Sequence, residues 1–478
     1  MRVIIIGAGP GGYTAAFEAA ARGMEAVLVE EAALGGTCLN HGCIPTKTLR
    51  AGADALALAR RMAEFGVTGC CDPAIDPVAA QKRKNSVISV LTGGLEKTCA
   101  RLGVRLVRGQ AELAAPGRVR VRTQEGEEAV EGDAIIIATG SRILELPGLA
   151  FDHKYILDSN DALDLESVPK RLLIVGGGVI GCELACIFRT YGSEVAIVEG
   201  QDRLLPMPSV DAEVSALLAR ELRKRKVKMF TGATVGSCRV EDGVVRCTLA
   251  PSPFVEPQAA LKAETEVEAD MVFVTVGRAP ATEGLGLERA GVAVDRRGWI
   301  VVDEHLRTNV PGVYAIGDVL GPSRIMLAHV AAVEGLTVIE GLCGGNGVMN
   351  YDAVPSAIFT EPEIGCVGLS ERQAREAFPH VECAVTQMRE LGKAQAMGEL
   401  PGFFKLVANA EDGRILGAHV MGAHASDLVA EATLAIKQGI TAGELAATIH
   451  AHPTLAEGFF ETSRALTAAL AKHDGAKA

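Results

Sequence analysis

The chain has 478 residues, 48 % of them apolar and only 4 % aromatic, with 54 glycines and 12 cysteines. That length allows several domains with large buried cores, and the Gly-rich, aromatic-poor balance suits an α/β protein. A formal net charge of −12 argues against nucleic acid or an anionic membrane surface as the main partner.

After Met1 and Arg2 comes the apolar run Val3-Ile4-Ile5-Ile6, followed at once by Gly7. The run is too short for the core of a signal peptide and reads as a buried parallel strand. It opens the fingerprint Gly7-Ala8-Gly9-Pro10-Gly11-Gly12, an Ala-rich helix to about Arg22, and a strand Ala26–Val29 closed by Glu30. In such a βαβ unit the first glycine makes the turn and the second lets the backbone approach a pyrophosphate. The third lets helix and strand pack closely, and the acid meets ribose hydroxyls.

Next stands Gly35-Gly36-Thr37-Cys38-Leu39-Asn40-His41-Gly42-Cys43-Ile44-Pro45-Thr46-Lys47. A CxxxxC pair just past a dinucleotide fingerprint reads as a redox-active disulfide against the bound nucleotide, since four intervening residues can loop to bring the sulfurs together. The plain alternative, two free buried cysteines, is disfavoured by the surrounding block. Helical patterns follow at about 46–65 and 76–102, then short strands and the run Ala134–Ile137 before Ala138-Thr139-Gly140-Ser141.

The fingerprint recurs about 170 residues on. Strand Leu172–Val175 leads into Gly176-Gly177-Gly178-Val179-Ile180-Gly181, a helix to about Tyr191, and a strand Glu194–Val198 closed by Glu199. Two complete units in one chain predict two bound nucleotides. Residues 251–257 read as a surface loop between hairpin strands. The stretch Thr308–Asp318 reads as a strand ending in Gly317-Asp318, and from about 346 the pattern changes to strands and two helices, ending in His450-Ala451-His452-Pro453-Thr454-Leu455-Ala456-Glu457.

Most other cysteines are scattered, so a reducing compartment is expected. Cys70-Cys71 lacks a second pair or a flanking histidine, and no zinc site, indeed no metal, is expected. Cys182 and Cys186, four apart on a predicted helix, are explained by packing. No apolar run approaches a membrane span, and a cytoplasmic location is expected.

On the Gly35–Lys47 block, Ala138–Ser141, the second fingerprint, Val276-Gly277-Arg278-Ala279-Pro280, Gly317-Asp318 and His450–Thr454, the chain resembles the flavin disulfide reductases, class I pyridine nucleotide–disulfide oxidoreductases, and among their branches the dihydrolipoamide dehydrogenases. The resemblance runs from residue 2 to about 466. It implies two Rossmann-like domains and a C-terminal α+β dimerisation domain: FAD-binding at 1–145 and 271–345, NAD-binding at 146–270, interface at 346–478. Gly7, Gly9, Gly12 and Glu30 would hold the ADP half of FAD. Thr37, Lys47, Ala111, Thr139, Gly140, Ser141 and Asp318 would complete the flavin site, closed by Met326, Leu327, Ala328 and His329. Gly176, Gly178, Gly181, Glu199, Val235 and Gly277 would hold NAD.

By the same resemblance Cys43 faces the flavin and Cys38 is the interchange thiol. Lys47 lies near the flavin ring, paired with Glu183, and His452 is the acid–base, oriented by Glu457, reaching the other subunit of a homodimer. A carboxylate on one ring nitrogen fixes a histidine's tautomer and raises basicity at the other. His450 and His41 are read as structural. Departures are small: Ala111 stands where Gly is frequent, and Ala456 where Ser is usual.

The implied activity is oxidation of dihydrolipoamide, carried on a lipoyl protein of a 2-oxo acid dehydrogenase or glycine cleavage complex, with NAD⁺ as acceptor. Glu199 favours the 2′-hydroxyl of NAD over the 2′-phosphate of NADP, with Arg203 the one nearby counter-signal. A mercuric reductase would need cysteines near the C-terminus, and the last is Cys383. A soluble transhydrogenase would lack CxxxxC. Reduction of another disulfide, and a non-catalytic role in a complex, are the remaining alternatives. The intact Cys38, Cys43, His452 and Glu457 speak against the second of these.

Overall fold

The computed structural model describes residues 1–69 and 72–475, so Cys70-Cys71 lies outside the described residues. Two five-stranded parallel sheets carry the N-terminal three-quarters of the molecule. In the first, strand Arg2–Ile6 is flanked by Glu25–Glu30 and Ala134–Ile137, with Arg105–Arg108 and Val313–Ala315 at the edges. In the second, strand Arg171–Val175 is flanked by Glu194–Glu199 and Met271–Val274, with Lys228–Thr231 and Ile156–Leu157 outside them. Val3, Ile4 and Ile5 are fully buried, as are Leu173 and Ile174. Both faces of these strands are covered, which is why they read as continuous apolar runs.

The repeat is larger than a βαβ unit. Each half also carries a three-stranded antiparallel sheet, formed by 110–115, 118–123 and 126–131 in one and by 233–241, 244–251 and 265–269 in the other. Each then returns to its parallel sheet, through 134–137 and 271–274 respectively. The boundary expected at 270/271 therefore falls one strand early. Met271–Val274 pairs with Leu172–Val175 at the centre of the second sheet, as Ala134–Ile137 pairs with Val3–Ile6 in the first.

The C-terminal unit is a five-stranded antiparallel sheet, in the order 356–358, 364–368, 415–421, 403–409, 381–387. Helices Ala425–Gln438 and Glu457–Gly475 are the two long ones. The described residues add three shorter helices, Glu371–Ala377, Gly392–Met397 and Ala442–Ala447, where two had been expected in all. Six or seven residues are too few to show amphipathic periodicity, but two of the three start in capping boxes, Ser370 with Gln373 and Thr441 with Glu444. Among the described residues no single helix is long and apolar enough to cross a membrane.

Candidate active site

The two fingerprints fold alike. Gly7 and Gly176 turn at φ +99° and +110°, where only glycine is at ease. A Cβ on Gly12 would sit 1.9 Å from Gly7 O, and one on Gly181 1.9 Å from Gly176 O. Around Gly9 and Gly178 the space is open. These two residues begin helices Pro10–Ala21 and Val179–Tyr191 without a side-chain cap, so the amides of each first turn face that space. Glu30 accepts from Ala8 N at 2.6 Å and Ala32 N at 2.8 Å; Glu199 accepts from Gly177 N at 2.6 Å and Gln201 N at 2.8 Å. Each acid is thus pinned against the glycine turn it serves. This donor-rich, side-chain-free cradle fits a dinucleotide pyrophosphate in both halves.

Thr139 Oγ1 is buried and has no protein partner. Gly140 turns at φ +72° with open space beside it. Ser141 Oγ donates to Asp318 Oδ2 at 2.8 Å and accepts from Arg278 Nε at 2.5 Å. Met326 and Leu327 lead into helix Ala328–Leu342, and His329 Nε2 lies 2.8 Å from Pro355 O. Ala111 is buried on its strand, two residues past Gly109, whose N–H donates to Glu30 O. In the second half, Val235 is half-buried on strand Ala233–Glu241 and Gly277 turns at φ +132° beside open space.

The CxxxxC block is more helical than a free loop. Thr37 and Cys38 lie in the short helix Gly36–His41, and Cys43 opens helix Cys43–Arg61 after the break at Gly42. The two free thiols are hydrogen-bonded to each other. The bond from Cys38 lowers the Cys43 pKa to about 7, with help from the Lys47 charge and against burial and Glu183. Cys38, holding its proton in that bond and buried as well, is shifted upward. One turn along the helix, Lys47 Nζ meets Glu183 Oε2 at 2.9 Å and Oε1 at 3.1 Å, and sits 4.4 Å over the Phe359 ring. Glu183, almost buried, also accepts from Phe359 N at 2.9 Å. One carboxylate therefore fixes the cation on the helix behind the thiols. With the pair reduced, alkylation of Cys43 by iodoacetamide is expected to rise as pH climbs through about 7, because the thiolate forms above that value. Lys47→Met should move the midpoint upward; peptide mapping across a pH series measures it.

His452 Nδ1 lies 2.8 Å from Glu457 Oε1, and Glu457 Oε2 accepts from Thr454 N at 2.8 Å. These bonds hold the Glu457 carboxylate below its ordinary range, the Thr454 amide first and then the imidazole. The His452 side chain is 78 % exposed. No hydrogen bond or ion pair among the described residues joins it to Cys38 or Cys43. His450, by contrast, is packed: Nε2 meets Glu431 Oε1 at 2.7 Å and only 6 % of the side chain is exposed.

Residues 1–335 match the family model of the pyridine nucleotide-disulphide oxidoreductases, and residues 354–463 match that family's dimerisation domain. The chain belongs to the pyridine nucleotide-disulphide oxidoreductase family. Dihydrolipoyl dehydrogenase from Haloferax volcanii is 40 % identical over 464 residues, spanning 96 % of this chain and 95 % of that protein. The enzyme of the same name from Geobacillus stearothermophilus is 40 % identical over 456 residues, 95 % and 93 % of the two chains. Among solved structures, LpdA from Mycobacterium tuberculosis superposes with a TM-score of 0.88 at 27 % identity, covering 98 % of this chain and 99 % of its own. The HOCl-induced flavoprotein disulfide reductase RclA from Escherichia coli gives 0.83 at 28 %, with 97 % and 99 % covered. The protein is a flavoprotein disulfide oxidoreductase using FAD and NAD.

Three further side chains take their places only in the fold. Glu334 Oε2 accepts from Gly317 N at 2.6 Å, and Tyr351 donates to Glu334 Oε1 at 2.6 Å, so a buried carboxyl fixes the backbone just before Asp318. Arg278 clamps Ser141 through both its side chain and its carbonyl. Arg203, the possible 2′-phosphate ligand, is spent on Val210 O, Met207 O and Ser215 Oγ. Arg278 stands in the Val276–Pro280 motif, which gave no role to it alone. No local sequence signal marks Glu334, which reaches its partner only because helix 328–342 folds back.

Proposed function

We propose that the protein oxidises dihydrolipoamide on a lipoyl-bearing protein to lipoamide, delivering the electrons to NAD⁺. The observation that carries this reading is the Cys38–Cys43 pair backed by Lys47 and Glu183 in a chain aligned almost end to end with dihydrolipoyl dehydrogenases. The sheet built on Arg2–Ile6 would hold FAD, and the one built on Arg171–Val175, together spanning about 146–274, would hold NAD. Glu199 with no free arginine beside it supports NAD over NADP.

In the oxidised enzyme a substrate thiol gives its proton to His452 and attacks Cys38 Sγ. The Cys38–Cys43 bond breaks and Cys43 leaves as thiolate, with the Lys47 charge to favour it. The second substrate thiol then displaces Cys38, releasing lipoamide and leaving two protein thiols. The first half would hold FAD, which would supply the two-electron chemistry that links the thiols to NAD⁺. Glu457 orients the imidazole, and Lys47, held by Glu183, would place a positive charge beside a bound flavin. His452 acts across a homodimer in this scheme. The exposed apolar side chains of Ile449 and Leu434 support a subunit contact close by. The protein would work in the cytoplasm within a 2-oxo acid dehydrogenase or glycine cleavage complex.

The test is NADH formation by the purified yellow protein with dihydrolipoamide, beside NADP⁺ and beside glutathione disulfide with reduced nicotinamides. Rapid NAD⁺-dependent turnover is expected; activity on glutathione disulfide alone would overturn the substrate. A further expectation concerns the cradles. Gly12→Ala, whose Cβ would strike Gly7 O, should cost ~3 kcal/mol or more and yield flavin-poor protein. Gly181→Ala should keep flavin and lose NAD⁺ affinity. Flavin absorbance per chain and thermal melting separate the two.

A further inference from the structure

The NAD-side half holds a second cysteine pair that sequence spacing does not announce. Strands Ala233–Glu241 and Val244–Pro251 form a hairpin whose two-residue turn, Asp242-Gly243, runs at φ +51° and +77°. From the closing pair Glu241 and Val244 the register is regular back to Cys238, which stands directly opposite Cys247. In a two-residue hairpin the closing pair is hydrogen-bonded and the pairs then alternate. Cys238–Cys247 therefore falls on a non-hydrogen-bonded position, where Cα atoms come to ~4.5 Å and side chains are nearest. That is inside the range a disulfide spans. The two sulfurs touch, 2.6 Å apart.

The pair has an inner and an outer member. Cys247 is fully buried in the core of this half, beside Val245 and Leu249. Cys238 is half-buried on the same face of the sheet. The opposite face is charged, with Arg239 and Arg246 on Glu241 and Glu266. The contact with Cys247 also draws the Cys238 pKa downward, which favours the outer sulfur as nucleophile.

We propose that Cys238 and Cys247 form a second, reversible disulfide, independent of the Cys38–Cys43 pair, by exchange with an oxidised low-molecular-weight thiol. Cys238 thiolate attacks one sulfur of the small disulfide, whose S–S bond breaks and releases one thiol. Cys247 then loses its proton and attacks Cys238 Sγ, releasing the second thiol. Two electrons and two protons pass to the small disulfide, and one cross-strand S–S bond forms.

The test uses the flavin-loaded Cys38→Ser/Cys43→Ser protein, which removes the active-site pair from the count. It is treated with glutathione disulfide, denatured, alkylated with N-ethylmaleimide and digested with trypsin, which separates Cys238 from Cys247 at Arg239 and Arg246. The expected result is loss of label at both residues, their peptides joined to each other, and recovery with dithiothreitol. Adding Cys247→Ser should leave one glutathione on Cys238. Adding Cys238→Ser, at the half-exposed position, should leave Cys247 fully labelled and keeps the test open if the buried variant fails to fold. Full labelling of both residues after treatment, or a bond from either to a third cysteine, would overturn the proposal. Peptide mapping reads this without lipoamide turnover, so its failure and that of the substrate assignment are separate results.

Discussion

Cys38→Ser and Cys43→Ser are each expected to lower lipoamide turnover by at least ~10³-fold while the flavin stays bound, because neither variant can form the disulfide that the substrate attacks. The two should differ in what survives. With Cys38 replaced by serine, Cys43 keeps a hydroxyl neighbour and the Lys47 charge, and should remain an alkylatable thiol. With Cys43 removed, Cys38 remains a partly buried thiol with no neighbouring sulfur to engage. Both side chains are only partly buried and a serine is nearly isosteric, so the fold should be intact. Steady-state NADH formation and flavin absorbance are the measurements. Wild-type turnover in Cys38→Ser would remove that residue from the role of interchange thiol.

His452→Gln should cost ~10²–10⁴-fold in turnover, the usual contribution of a positioned acid–base, with little change in melting temperature because the side chain is 78 % exposed. Glu457→Gln keeps the shape of the pair but not its charge, and ~10-fold is expected from weaker imidazole basicity and orientation. Mixing inactive Cys38→Ser and His452→Gln homodimers under conditions that exchange subunits separates an action across the interface from one within a chain. If His452 serves the other subunit, one site of each mixed dimer carries both intact groups, and activity should return to a fraction of wild type. If it served its own subunit, no mixed dimer would have both variants on one chain, and each would keep one faulty group at each site.

The legibility of the site followed the range of its interactions. Gly7, Gly9, Gly12 and Glu30, with their counterparts Gly176, Gly178, Gly181 and Glu199, act within one βαβ stretch, and local spacing was enough to find them. The CxxxxC block was equally local. The strand boundary at 271 was misplaced because nothing near Met271 tells a strand returning to the second sheet from one starting the next unit. Only pairing with Leu172–Val175 settles it. The short helices of the C-terminal unit were passed over because their lengths carry no period.

Sequence alone determined the two βαβ fingerprint units, the Cys38–Cys43 pair and the His452–Glu457 spacing, since each depends on residues close together along the chain. Tertiary structure decided what depends on distant segments. Helix 328–342 brings Glu334 to Gly317 N, a loop hydrogen-bond set takes Arg203 out of play, and the hairpin sets Cys238 against Cys247. It also left the His452 side chain exposed, with Glu457 as its partner. A turn or a fingerprint is written in backbone preferences over a few residues, whereas these partners meet only when packing closes long loops, and no local preference records which loops those are.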